Sequence, residues 1–187
     1  DLSVVNGYLD KAYTYGTQEQ QSRAAVIGAM RSAEAKAYPQ ALKWADKITA
    51  ADYVFDKAVL RASIEAEQGN WRNALAQTRR AKRLPEQQGR FFSSNDLQRI
   101  YLFALSKHDN PKQALAELDK LAAEAETQPD AQALFGDIIY QRGMVYADKL
   151  HQPEKAVADL RRYLELNPGS ANGMNALGYT MLSLPEY

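Results

Sequence analysis

The sequence predicts an all-α fold made of antiparallel helical hairpins, on three observations. Ala, Leu, Gln, Glu, Lys and Arg, all strong helix formers, dominate the composition. The apolar and polar alternation of β-branched residues that marks a strand is nearly missing. Gly or Pro recurs at hairpin-sized intervals, where chain reversals belong.

The pattern predicts helices over residues 2–15, 18–36, 39–50, 54–68, 71–83, 94–107, 111–127, 130–149, 153–166 and 171–183. The first is a leading helix. Thr17 with Gln20 offers a capping box for the second. Pro39 opens the third, where a missing N–H loses no intrahelical bond and φ is already set. The fourth and fifth meet at a polar turn ending in Trp71-Arg72-Asn73-Ala74-Leu75. Residues 85–94 read as an inserted loop, polar through Glu86-Gln87-Gln88-Gly89-Arg90 and then aromatic at Phe91-Phe92. That aromatic pair either docks a partner or anchors the insertion under the helices, and anchoring is favoured because exposed aromatic pairs invite aggregation. Asn110 is a good N-cap ahead of Pro111. Gln128-Pro129-Asp130 separates the next two helices, Pro153 opens the ninth, and Pro168 closes it.

Four helices share one opening: Pro39-Gln40-Ala41-Leu42, Trp71-Arg72-Asn73-Ala74-Leu75, Pro111-Lys112-Gln113-Ala114-Leu115 and Pro153-Glu154-Lys155-Ala156-Val157. The marker residues Ala41, Ala74, Ala114 and Ala156 stand 33, 40 and 42 residues apart. The first interval is close to a helical-repeat period of about 34. The longer two imply insertions of roughly two helical turns, at residues 85–94 and around Gln128-Pro129-Asp130. Pairing the helices gives hairpins at about 18–50, 54–83, 94–127 and 130–166 and an incomplete one over 171–187, a single array across residues 1–187. A chain that stops inside its own repeating unit is expected to be a piece of something longer.

Composition narrows the function. With 187 residues, 45% of them hydrophobic, the chain is long and apolar enough to bury a core. Its 23 basic and 23 acidic residues cancel, so no net field draws nucleic acid or an anionic membrane, and nucleic acid is not an expected partner. The absence of cysteine removes disulfides, thiolate chemistry and cysteine metal sites. No run of about 18 apolar residues marks a transmembrane helix, and no signal pattern opens the chain. A signal peptide or lipid anchor is expected, if anywhere, upstream of these residues.

The hairpins resemble the tetratricopeptide repeat, most closely over residues 143–178. There Gly143 and Tyr146 match the Gly and Tyr of the first helix, Ala156 matches the small residue of the second, and Leu160 stands for its usual Phe. Pro168 terminates the unit, and Leu177 and Gly178 begin the next, with Met181 in place of Tyr. Lys149-Leu150-His151-Gln152 holds one extra residue, and Tyr163 replaces a small one, which predicts looser packing or a displaced next hairpin. In the second hairpin Ala62, Ala74 and Ala81 fill three small positions, while Arg61 and Glu65 replace Leu and Tyr. The first hairpin keeps Ala29 and Ala41, and the third keeps Ala114 with Leu102 at a normally small place. The resemblance implies a right-handed α-solenoid in which each hairpin buries its face against its neighbours.

It also implies where a partner sits, because in this family the first helix of each hairpin lines the concave side. Carried along the chain, those places hold Val26 and Met30, then Val59 and Ser63, Arg99 and Phe103, Tyr140 and Met144, and finally Asn175 and Tyr179. The set suits an extended peptide or partner helix held by apolar anchors and a few hydrogen bonds. The alternative is that some of these side chains are buried between helices. Relatives that grip a C-terminal carboxylate use a Lys and two Asn on successive first helices. Val26, Met30, Val59 and Ser63 stand at the corresponding places, so that chemistry is not expected here.

No catalytic pattern competes with this reading. His108 and His151 fall in predicted turns without a second His at ligand spacing. Phosphate loops, nucleophile elbows and zinc-protease helices are missing. Gly143 and Gly178 are read as packing glycines at close helix crossings. No enzyme activity, cofactor or metal is expected. The leading functional reading is a non-catalytic scaffold or adaptor for a protein or peptide. The final helix and the Gln- and Ala-rich irregular repeats are similar to large bacterial envelope repeat proteins, including outer-membrane lipoproteins that recruit proteases or assembly factors. Alternatives are an interaction module of a larger enzyme, such as a peptidase or glycosyltransferase, and a homo-oligomer formed through the repeat end at Tyr187.

Overall fold

Local caps set several helix starts. In the computed structural model, which describes residues 2–184, the Thr17 hydroxyl accepts the Gln20 N–H and the Gln20 amide oxygen accepts the Thr17 N–H at 2.8 Å, so α2 (Gln18–Glu34) begins on a complete capping box. The Asn110 side chain accepts the Gln113 N–H and Pro111 occupies the first turn, which starts α7 (Pro111–Glu126). Pro153 does the same for α9 (Pro153–Leu166), and Ser170 caps α10 (Ala171–Met181) through the Gly173 N–H at 3.1 Å. The remaining helices are α1 (Leu2–Tyr15), α3 (Tyr38–Asp46), α4 (Val54–Glu67), α5 (Trp71–Ala81), α6 (Ser94–Ser106) and α8 (Gln132–Asp148). The described residues are all-helical apart from turns and one isolated bridge between Gln88 and Ser93. Pro185, Glu186 and Tyr187, the tail of the hairpin expected over 171–187, lie outside them.

Among the helix boundaries that differ from expectation, two have a visible physical reason. The third helix stops at Asp46 instead of residue 50, because the buried Ser22 hydroxyl on α2 accepts the N–H groups of Thr49 and Ala50 at 3.1 and 2.9 Å. Those donors are therefore satisfied outside a helix. A short 3-10 turn, Ala51–Tyr53, then feeds α4. Before α8, Pro129–Ala131 forms a second 3-10 turn, so the α-helix opens at Gln132. Between α4 and α5 the chain reverses at Gly69, whose φ of +79° favours a residue without Cβ.

Residue contacts divide the chain into two units, Asp1–Tyr101 and Leu102–Tyr187. In the first, α2 packs against α1, α3 and α4, and α4 against α3 and α5. Its larger core joins Val26, Ala29, Trp44, Ile48, Tyr53, Leu60 and Ile64, and a smaller one joins Phe55, Val59, Ala81 and Leu97. Phe92 packs on both, so of the two readings of the aromatic pair the structure supports anchoring for Phe92. Phe91 leans on Tyr53 with ring centroids 6.3 Å apart.

In the second unit α8 packs against α7, α9 and α10, and α9 against α10. Tyr163, large where the repeat pattern wants a small residue, is housed by glycine. A Cβ on Gly173 would lie 2.7 Å from its ring, while its hydroxyl meets Ser170 Oγ at 3.1 Å. Gly143 sits at a close crossing, with Leu160 and Asp159 atoms 3.3 and 3.4 Å from where its Cβ would be. Gly178 does not: nothing lies within 4 Å of that position, which corrects its reading as a packing glycine.

Candidate functional site

The ten residues expected to face a partner divide sharply by burial. In the first unit Val26 and Val59 have no exposed surface and belong to the two cores. They present nothing to a partner. The reason lies in packing: α2 packs against three helices, α1, α3 and α4, and Val59 clusters with Phe55, Ala81 and Leu97. Met30 is half-buried against the larger core, and Ser63 is half-buried with its hydroxyl 3.5 Å from Glu67 Oε1, a weak contact. Arg99 is exposed.

In the second unit Phe103 is 40% exposed and Tyr179 is 74% exposed, with Asn175 also exposed one turn before Tyr179 on α10. Tyr140 and Met144 are half-buried on α8. The Tyr140 ring lies 4.9 Å from that of Tyr163, and burial, with Tyr163 and Asp148 adding to it, pushes its phenol above the ordinary value. Tyr140 is thus a helix-to-helix contact as much as a surface. Met174 and Leu182 extend the exposed apolar side of α10.

Other polar constructions carry no local sequence signal. Asp56, fully buried on α4, accepts the backbone N–H groups of Arg90, Phe91 and Phe92 at 2.8, 2.9 and 2.9 Å. One carboxylate thereby fixes the inserted loop, and Arg90 adds an exposed ion pair to Asp52 at 2.6 Å. In the second unit Arg142 on α8 bonds Asp159 of α9 through two nitrogens, at 2.8 and 2.7 Å, and Asp119 of α7 at 3.0 Å. The hydrogen bonds to Asp159 hold this guanidinium protonated even more firmly than usual. An Arg and an Asp 17 residues apart on different helices give no motif to read.

A hollow shaped by side chains of the first unit lies where the 51–54 turn faces the 84–90 loop. Two adjoining spaces of about 310 and 280 Å³ share Asp52, Glu86 and Gln88. One is completed by Gly89 and Arg90, the other by Val54, Phe55, Leu84 and Pro85. None of these residues is among the ten expected from the repeat pattern.

Among the described residues no group of three or more His, Cys, Asp or Glu could hold a metal ion, and no helix is long and apolar enough to cross a membrane. His108 uses Nδ1 to accept the Asn110 N–H at 2.9 Å, and His151 occupies a turn with φ of +51°. Comparison with family models, with curated proteins and with solved structures gave no match.

Proposed function

We propose that this chain is a non-catalytic scaffold of tetratricopeptide type that binds a peptide or partner protein along the first helices of its hairpins. The observation that carries the reading is the contact between alternate helices, α2 with α4 and α8 with α10. Stacked hairpins of a solenoid place their first helices side by side in this way, and each unit holds one such contact. Those helices offer Met30, Ser63 and Arg99 in the first unit and, taken by itself, Phe103, Asn175 and Tyr179 in the second, where Tyr140 and Met144 are half-buried on α8. A large exposed aromatic such as Tyr179 is the usual kind of interface anchor. The similarity in sequence style to bacterial envelope repeat proteins extends the reading to an assembly or protease-adaptor role.

The test uses the chain as bait and measures the affinity of a recovered partner for the Asn175→Ala/Tyr179→Ala variant. Both side chains are exposed, so helicity should be kept while affinity falls about tenfold or more. Unchanged affinity with an intact circular dichroism spectrum would remove α10 from the binding surface.

A second reading, self-association, is favoured by the exposed Met174 and Tyr179 on α10 and Leu182 just after it. Sedimentation of the chain against Met174→Asp/Leu182→Asp decides it. A concentration-dependent dimer lost in the variant supports the reading, and identical monomeric behaviour of both rejects it.

A further inference from the structure

We propose that the cleft between the 51–54 turn and the 84–90 loop is a second binding site, which takes a basic side chain and its apolar neighbour from an extended segment of a partner protein. It shares no residue with the surface of the repeat helices and does not rest on it. Each half of the cleft, about 310 and 280 Å³, is near the lower bound of about 300 Å³ for small-ligand pockets. That suits one or two side chains and excludes a whole helix.

The two halves differ in chemistry. Phe55, nearly fully buried, floors the apolar half, with Leu84, Pro85 and the exposed Val54 around it. The polar half holds the carboxylates of Asp52 and Glu86 against one cation, Arg90, which is already bonded to Asp52. Glu86 makes no ion pair among the described residues. The cleft therefore carries an excess negative charge, and its unsatisfied carboxylate stands between the two halves. A Lys or Arg entering the polar half meets Glu86, while the residue beside it reaches Phe55 and Leu84. An anion would meet two carboxylates and a guanidinium already engaged.

The cleft is also preformed. The three hydrogen bonds to Asp56 and the Gly89 N–H to Phe92 carbonyl bond at 2.8 Å fix the loop that makes its wall. A ligand need not order that loop on binding, which removes a usual cost of association.

The experiment titrates the isotope-labelled chain with four capped peptides and follows backbone amide shifts: Gly-Leu-Arg-Gly, the same peptide with neutral citrulline for Arg, Gly-Leu-Glu-Gly, and Gly-Gly-Arg-Gly. The expected result is saturable shifts at residues 51–54 and 84–90 with the Leu-Arg peptide. Affinity should be about threefold to fivefold weaker for the citrulline peptide and for the Leu-Arg peptide with Glu86→Gln, as a partly exposed ion pair allows. Glu86 is exposed and unpaired, so its replacement leaves the fold intact, and unchanged shifts elsewhere verify this. Glu86→Lys should reverse the preference toward the Leu-Glu peptide. Shifts that are absent, that map to other residues, that are equal for Leu-Arg and Leu-Glu, or that are indifferent to Glu86→Gln overturn the proposal. Each of these outcomes is independent of the α10 variants that test the scaffold surface.

Discussion

Gly89 lies so close to Asp56 that a Cβ in its place would stand 2.2 Å from the carboxylate oxygen Oδ1. The contact follows from what the carboxylate does. Asp56 takes the N–H groups of three consecutive residues, Arg90, Phe91 and Phe92, and the chain must pass directly over it to present them. Only a residue without a side chain passes at that distance. Gly89→Ala is expected to displace the loop and lower stability by about 2 kcal/mol, and Asp56→Ala, which strands three donors, by about 3 kcal/mol or more. Urea unfolding measures both. A variant pair within about 0.5 kcal/mol of the parent, the range of ordinary surface changes, would mean that the loop is not held by this carboxylate.

A second expectation concerns Arg142, which joins three helices but does not depend equally on its two acids. Asp159 is nearly buried and bonds two guanidinium nitrogens, whereas the Asp119 side chain is 50% exposed and bonds one. Removing one partner of a buried pair leaves an uncompensated charge and costs about 3 kcal/mol, while an exposed pair contributes under about 1 kcal/mol. Asp159→Ala should therefore destabilise several times more than Asp119→Ala in denaturant titrations. Equal losses would show that Arg142 is held by both acids alike.

Much of the helix map was legible because its signals are local. Thr17 and Gln20 lie three residues apart, Asn110 stands next to Pro111, and Pro153 opens α9 in its own first turn. The misjudged end of α3 depends on Ser22, 27 residues before the Thr49 N–H it captures. The same distance problem hid Asp56 from Gly89 and Arg142 from Asp159. The surface was harder still. Val26 and Val59 occupy groove positions in the repeat pattern, but a pattern assigns a helix face without knowing how many neighbours cover it. On α2 those neighbours are three helices. Tyr163 shows the converse: its size predicted looser packing or a displaced next hairpin, and Gly173, ten residues on, supplies the room.

Glycines on helices give a third test, since they divide by surroundings. At Gly28 a Cβ would sit 2.6 Å from the Trp44 ring inside the core, whereas at Gly178 it meets nothing within 4 Å. Gly28→Ala must push a buried indole and should lose about 1–3 kcal/mol through overpacking. Gly178→Ala, in the exposed interior of α10, should gain about 0.5–1 kcal/mol from reduced backbone freedom in the unfolded chain. Thermal unfolding of the two variants should move in opposite directions. A loss at Gly178→Ala would mean that this face is covered by something in solution.

The start of α6 supplies a pH-dependent prediction. Asp96 Oδ2 accepts both the N–H and the hydroxyl of Ser93 at 2.8 Å. The Ser93 N–H holds the Asp96 carboxyl below its ordinary range; partial burial opposes this, and the Ser93 hydroxyl adds to it. The folded chain thus binds this proton more weakly than the unfolded chain does. Its contribution is present above the unfolded value of about 4 and is lost as pH falls through the lower folded value. Because the group is only partly buried, screening keeps the contribution under about 1 kcal/mol. Asp96→Asn should accordingly lower the urea midpoint at pH 7, and the gap from the parent should close as pH is taken from about 4.5 down to 2.5. A gap that stays constant over that range would assign the effect to side-chain shape rather than to the carboxylate charge.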